Sequence, residues 1–178
     1  MQGGKCMLYR CPYCGKLTDI TLSSSYICPK CMNEVIVYNI NEFEISNNIL
    51  KRYKGNKKIV IVPKEVKHIG SCAFSLNRNI EKVYLHHNII SIGSEAFYKA
   101  QNLQVIYLRK NIEVIKDNAF KDCDKLTILT DYLNKPSGWA NNFSGDDVLV
   151  VWGVSKYHLN DNYEYVINNK NQVFLLRV

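Results

Sequence analysis

The sequence predicts an α/β fold: a short solenoid with parallel short strands on one face and short helical or 3-10 turns on the other, a cysteine-stapled segment in front and a C-terminal β-hairpin behind. Three observations carry this. The phrase IGSCAF at 69–74 returns as IGSEAF at 92–97 and IKDNAF at 115–120, each time 23 residues on. Four cysteines gather in two close pairs, Cys11 with Cys14 and Cys28 with Cys31. At the far end, YEYVINNKNQVFLLRV (163–178) sets two apolar runs around an Asn-rich turn, the pattern of a hairpin. These features divide the chain into 1–41, 42–153 and 154–178.

The first segment contains CPYCGKLTDITLSSSYICPKC, residues 11–31, which reads Cys-x2-Cys, thirteen residues, Cys-x2-Cys. Two intervening residues let one tight turn aim both sulfurs at a single ion, and a second such turn completes a tetrahedron of thiolates. Pro12 and Pro29 preset the backbone angle inside each turn, and Gly15 follows the first pair. β-Formers on either side of a Ser-rich turn point to a hairpin between the pairs. The segment resembles a zinc ribbon, with Cys11, Cys14, Cys28 and Cys31 holding a structural Zn2+; iron would accept the same four thiolates. With all four positions filled, no place is left for a catalytic water. Such sites contribute about 10–16 kcal/mol at neutral pH, enough to fold a segment too small to hold itself together. The other readings are a redox dithiol pair or oxidised cysteines, but nothing here resembles the single Cys-x2-Cys at a strand-to-helix junction of a thioredoxin-like site. Cys6, Cys72 and Cys123 fall outside the pattern.

The repeat gives each column a physical use. Ile69, Ile92 and Ile115 open the unit. Ser71, Ser94 and Asp117 are residue types that accept from backbone N–H groups at a helix N-cap, so they predict a short helical turn. Ala73, Ala96 and Ala119 let that turn lie close to its neighbour, and Phe74, Phe97 and Phe120 fill the middle of the coil. Ile80, Leu103 and Leu126 follow, then Val83, Ile106 and Leu129, then Leu85 and Leu108, with Ile89 and Ile112 closing the pattern. VYL at 83–85 and IYL at 106–108 alternate inward and outward as a strand does. One unit cannot bury its own apolar side, whereas stacked units share a continuous core. In front, Val60, Val62 and Val66 occupy the columns of Val83, Leu85 and Ile89 without an Ala-Phe turn, which makes a half-coil cap. Behind, Asp131 stands where a leucine is due, and Trp139, Phe143 and Trp152 close the core.

The unit IGSEAFYKAQNLQVIYLRKNIEV resembles the BspA-like leucine-rich repeat. YKGNKKIVIVPKEVKHIG before it, KPSGWANNF…VVWG after it, and Cys123 in its column agree with that family over about residues 42–153. The resemblance implies a leucine-rich-repeat solenoid and a role in protein recognition. It also implies kinship with cell-surface proteins of host-associated bacteria, some of them adhesins.

The outward strand positions would line one face: Ile61, Tyr84, Tyr107 and Thr130 in one column, Ile59, Lys82, Val105 and Ile128 beside it, then His86 and Arg109. Lys82, Tyr84, His86, Val105, Tyr107 and Arg109 form the candidate partner-binding set, because tyrosine and arginine combine contact area with a polar handle. The alternative is a ladder of rings packed rung on rung. With so few coils the face suits a peptide or one modest protein surface. Net charge is +7; residues 1–45 hold four basic and four acidic residues, so the excess lies in 46–178. A nucleic-acid-binding ribbon would carry positive charge itself. The densest basic run, KRYKGNKK at 51–58, sustains a second reading, a nucleic-acid-binding module using the basic solenoid face. Its alternative is a solvated turn that discourages edge pairing.

No glycine-rich phosphate loop or nucleophile-elbow serine is present, and adjacent His86 and His87 would point to opposite faces of a strand, so no catalysis is expected. No apolar run approaches the roughly 18–20 residues of a membrane helix, and MQGGKCMLYR lacks a signal-peptide core. With seven cysteines pointing to thiols or metal, the cytoplasm is the expected location. A surface adhesin whose export signal is absent here is the third reading.

Overall fold

The computed structural model describes residues 40–160, 163–167 and 173–177, together with four short strands nearer the N-terminus: β1 (Met7–Arg10), β2 (Leu17–Ile20), β3 (Ser25–Ile27) and β4 (Glu34–Ile36). The chain forms two compact units, Met1–Asn39 and Ile40–Val178. In the first, β1 pairs antiparallel with β2, and β3 with β4. The pairing is therefore within each half, where the sequence pointed to a hairpin across the Ser-rich stretch between them. Each cysteine pair falls, in sequence, between two antiparallel strands; the four cysteines themselves lie outside the described residues.

The second unit winds into coils. After a 3-10 turn (Ile40–Glu42) come β5 (Phe43–Ser46), β6 (Ile49–Tyr53), β7 (Ile59–Ile61), β8 (His68–Ile69), β9 (Lys82–Tyr84), β10 (Ser91–Ile92), β11 (Val105–Leu108), β12 (Val114–Ile115), β13 (Thr127–Thr130) and β14 (Leu149–Val151). They form two ladders of five. One runs β5-β6-β8-β10-β12, antiparallel only at β5; the other, β7-β9-β11-β13-β14, is parallel throughout. Asn47 and Asn48, both left-handed (φ 51° and 61°), make the two-residue turn that joins β5 to β6.

The third side of each coil carries the expected Ala-Phe turns, but these are not helices. Cys72, Leu76, Glu95, Lys99, Asn118 and Asp122 all have φ between 55° and 60°, and two left-handed residues per turn break any helical run. The N–H groups of Cys72, Phe74 and Leu76 instead donate along the stack to the carbonyls of Ser94, Ala96 and Tyr98, at 3.1, 2.7 and 2.7 Å. Glu95, Phe97 and Lys99 repeat this with Asp117, Ala119 and Lys121. Because the next coil satisfies these donors, a cap is not needed, and among the described residues no backbone N–H is bonded to the side chains of Ser71, Ser94 or Asp117. The glycine of the phrase serves close approach: a Cβ on Gly93 would lie 2.6 Å from the Ser71 nitrogen.

Inside, Phe74, Phe97 and Phe120 stack face to face, centroids 4.9 and 5.0 Å apart and planes within 9°, close to the rung spacing of a sheet. Tyr53 extends the column to the cap, 5.5 Å from Phe74 and 5.1 Å from Phe43. The first coil thus has an aromatic residue in the place where the sequence reading saw none. At the other end Trp139 and Phe143 are buried, and Trp152 leans on Trp139 at 5.8 Å.

One register differs from the constant period. Val105 pairs with Thr127 and Thr127 with Leu149, steps of 22, against 23 for the first two steps of this ladder. NLQVIYL holds one residue more than KLTIL between its first leucine and the strand centre, so Ile128, not Leu129, sits beside Ile106. Beyond β14 the chain crosses back over β13, and β15 (Ser155–Asn160), β16 (Tyr163–Ile167) and β17 (Val173–Arg177) pair antiparallel in that order; residues 168–172 between β16 and β17 lie outside the described residues.

Candidate functional site

The parallel ladder sends alternate side chains to its two sides. Val60, Val83, Ile106 and Ile128 point in and are buried. The corrected register sets the outward columns as Ile59, Lys82, Val105, Thr127 and Leu149, then Ile61, Tyr84, Tyr107, Leu129 and Val151. Two residues further on come Pro63, His86, Arg109 and Asp131. Of the earlier assignments, Thr130 and Ile128 leave the face: both are fully buried.

The six candidate residues separate into two groups. Val105 and Tyr107 pack, with Val151, against a small cluster made by Leu129 and Val154 on the outside of the sheet. Gly153 (φ 69°) turns the chain there, donating its N–H to Tyr132 at 2.7 Å, and Val154 donates to Thr130 at 3.0 Å. Tyr107 hydrogen-bonds Asp131, and burial pushes its hydroxyl up to about 12. The Arg109 guanidinium lies 5.6 Å from the centre of the Tyr107 ring. Burial also raises the Asp131 carboxyl, whose Oδ1 is buried without a hydrogen bond. His86 Nε2–H donates to the Pro63 carbonyl at 2.9 Å while Nδ1 accepts from Asn88 N–H at 3.2 Å. Both ring nitrogens are thus used by the neutral tautomer, and burial holds the pKa below the usual histidine value. His86, Val105, Tyr107 and Arg109 serve contacts within the chain; Lys82 and Tyr84, both half-buried, lie on the half of the face away from the cluster of Leu129 and Val154.

The sequence reading put Leu129 in the inward column of Val83 and Ile106 and Asp131 in that of Leu108; the register moves both to the outer side, and Val154, which the sequence did not single out, packs there on Leu129. A count forward from Leu126 against Leu103 sets Leu129 on Ile106 and hides the slip, so the sequence carried no signal for Asp131 beside Arg109.

The basic run is largely matched by carboxylates. Lys54 pairs with Glu44 at 2.8 Å, Lys57 with Glu42 at 3.5 Å and Lys58 with Glu81 at 2.8 Å. No group of three or more metal-binding side chains occurs among the described residues, and no helix there is long and apolar enough to cross a membrane.

Coils of this construction, with parallel ladders and an aliphatic and aromatic core, define a leucine-rich-repeat solenoid. Residues 26–134 match the BspA type leucine rich repeat region, in six copies, and the chain belongs to that family. The match reaches further toward the N-terminus than residue 42, where the sequence reading began the solenoid. A leucine rich cell surface protein from Faecalibacterium prausnitzii A2-165, known from its crystal structure, is similar at 15% identity with a TM-score of 0.47. The alignment covers 79% of this chain and 61% of that one, so this chain spans under two-thirds of that protein's length. No match was found among curated proteins.

Proposed function

We propose that the chain is a non-catalytic protein-interaction module, stiffened at its N-terminus by zinc, that receives a partner on the open half of the outer sheet face. The observation that carries this is the stripe of Ile61 and Tyr84 with Lys82 beside it, held at sheet spacing on a backbone fixed by two ladders and by the coil-to-coil hydrogen bonds of the third side. A rigid surface costs little ordering entropy on binding. The test is affinity capture from native lysate beside a Lys82→Ala/Tyr84→Ala double variant. Loss of the same partners from the variant supports the face; identical capture removes it.

The zinc assignment rests on thiolate chemistry and on pairing. Cys11 and Cys14 fall in sequence between β1 and β2, and Cys28 and Cys31 between β3 and β4, and a short stretch of sequence joining two antiparallel strands suits a Cys-x2-Cys turn. Bound zinc would supply folding energy to these residues. Elemental analysis should find one zinc per chain, lost in Cys14→Ser; iron or no metal overturns the assignment. A cytoplasmic location belongs to the same proposal and is supported by Cys72 and Cys123 being free thiols. Fractionation of the native source tests it against the adhesin reading, which requires the protein at the cell surface.

A further inference from the structure

Resting on that reading of the face, we infer that its partner is an extended, acidic peptide segment: an apolar residue set on Ile61 and Tyr84, with carboxylates on one or both sides.

The charges around the stripe carry the inference. On one side lies Lys82, outward from β9 and half-buried, with no ion pair among the described residues. Its neighbour Glu81 is taken by Lys58 at 2.8 Å. On the other side lie Lys64 and Lys110 with Glu65, and beside them Arg109 and Asp131, which sit together against Tyr107 and offset one another. Counted with their pairs, Lys58 and Lys82 face Glu81 on one flank, and Lys64, Lys110 and Arg109 face Glu65 and Asp131 on the other, so each flank of the apolar strip keeps an excess of positive charge. Unmatched lysines beside an apolar strip attract carboxylates and repel a basic partner. Val154, seated on Leu129 with Val105 and Tyr107 around it, shows that this sheet face accepts an aliphatic side chain from a segment running across it.

A peptide is favoured over a nucleic acid on two grounds. The cations are few and spaced around apolar surface, and three of the five in the basic run 51–58 are already paired with Glu42, Glu44 and Glu81. A phosphate grip needs many unmatched charges in a row.

The experiment is selection of a random twelve-residue peptide display library on the full-length protein. Synthetic copies of the enriched peptides are then measured by fluorescence anisotropy against wild type, Tyr84→Ala, Lys82→Glu and Lys54→Glu, the last reversing a charge at the N-terminal cap. Circular dichroism checks that each variant is folded. The expected result is enrichment of net-negative peptides whose affinity falls about tenfold or more in Lys82→Glu, falls in Tyr84→Ala, and changes less than about twofold in Lys54→Glu. Peptides that need Tyr84 but are neutral or basic, or that bind Lys82→Glu as well as wild type, overturn the acidic-partner inference and leave the face standing. Peptides indifferent to Tyr84, or none enriched, overturn the face as well. Displacement by a single-stranded oligonucleotide with steep salt dependence overturns the inference in favour of the nucleic-acid reading.

Discussion

Phe97 is the middle ring of the column, fully buried, with a ring stacked on each side at 4.9 and 5.0 Å. Phe97→Ala removes both stacking contacts and leaves a ring-sized void between coils that cannot close, because the backbone of the turn is tied to both neighbours. On one side the Ala96 carbonyl accepts from Phe74 N–H at 2.7 Å; on the other, Phe97 N–H donates to the Ala119 carbonyl at 2.7 Å and the Phe97 carbonyl accepts the Cys123 thiol at 3.0 Å. A buried ring takes roughly 150–250 Å² out of water, which at about 25 cal/mol/Å² is about 4–6 kcal/mol; the alanine keeps its Cβ buried, so the lower end, about 4 kcal/mol, applies, inside the range of about 3–5 found for such truncations. With a urea slope of about 2 kcal/mol/M, the unfolding midpoint should fall by about 2 M. Phe97→Leu keeps most of the volume and should cost about 1–1.5 kcal/mol. Phe43, at the end of the column and less completely buried than Phe97, should cost less on the same change. A Phe97→Ala midpoint within about 0.5 M of wild type would mean that the rings do not share one core, and the stacked-coil account would fall with it.

Three further outcomes follow from single side chains. His86 is held below its unfolded pKa of about 6.5, so the unfolded chain binds the extra proton first. Stability should drop as pH falls from about 7 toward 5, and His86→Gln should flatten that slope in urea titrations run at each pH. Asp131 has the opposite sign: its carboxyl is raised by burial, so its contribution is complete below the unfolded value near 3.9 and is lost as pH rises through the folded one. Asp131→Asn, which keeps an acceptor for Tyr107, should therefore be at least as stable as wild type at pH 7; marked destabilisation there would refute the assignment. Cys72 is exposed, whereas Cys123 is fully buried, bonded to the Phe97 carbonyl, with its thiol pushed up to about 12. Iodoacetamide at pH 8 should alkylate Cys72 and spare Cys123 in the native protein, as read by peptide mass spectrometry.

The period and the core columns were legible because stacking forces chemically equivalent residues to recur: Ile69, Ile92 and Ile115, and the three phenylalanines, fall where the sequence puts them. The turn conformation was not, since Ser71, Ser94 and Asp117 suit a helix start and a tight turn equally, and the donors they would have capped are met by the next coil, a non-local partner. Tyr53 went unread because the first coil lacks the alanine that marks its slot in the others. The slip at β13 was invisible to a fixed period: Leu126 still obeys 23, and the missing residue follows directly after it. That slip carried Asp131 beside Arg109 and turned Leu129 out under Val154, which is why the face was drawn too large. The two asparagines between β5 and β6 did carry a hairpin signal, passed over because the region read as a cap.

All three sides of the coil direct their backbone bonds along the same direction, from one coil to the next. Tension applied to the two ends would therefore load those bonds one layer at a time and peel the outermost first. Each 23-residue layer released would add up to about 80 Å of slack at roughly 3.5 Å per residue. Stretched in this way, the molecule should lengthen as a staircase with treads of nearly equal size, a mechanical signature of a chain whose neighbours in space are its neighbours in sequence.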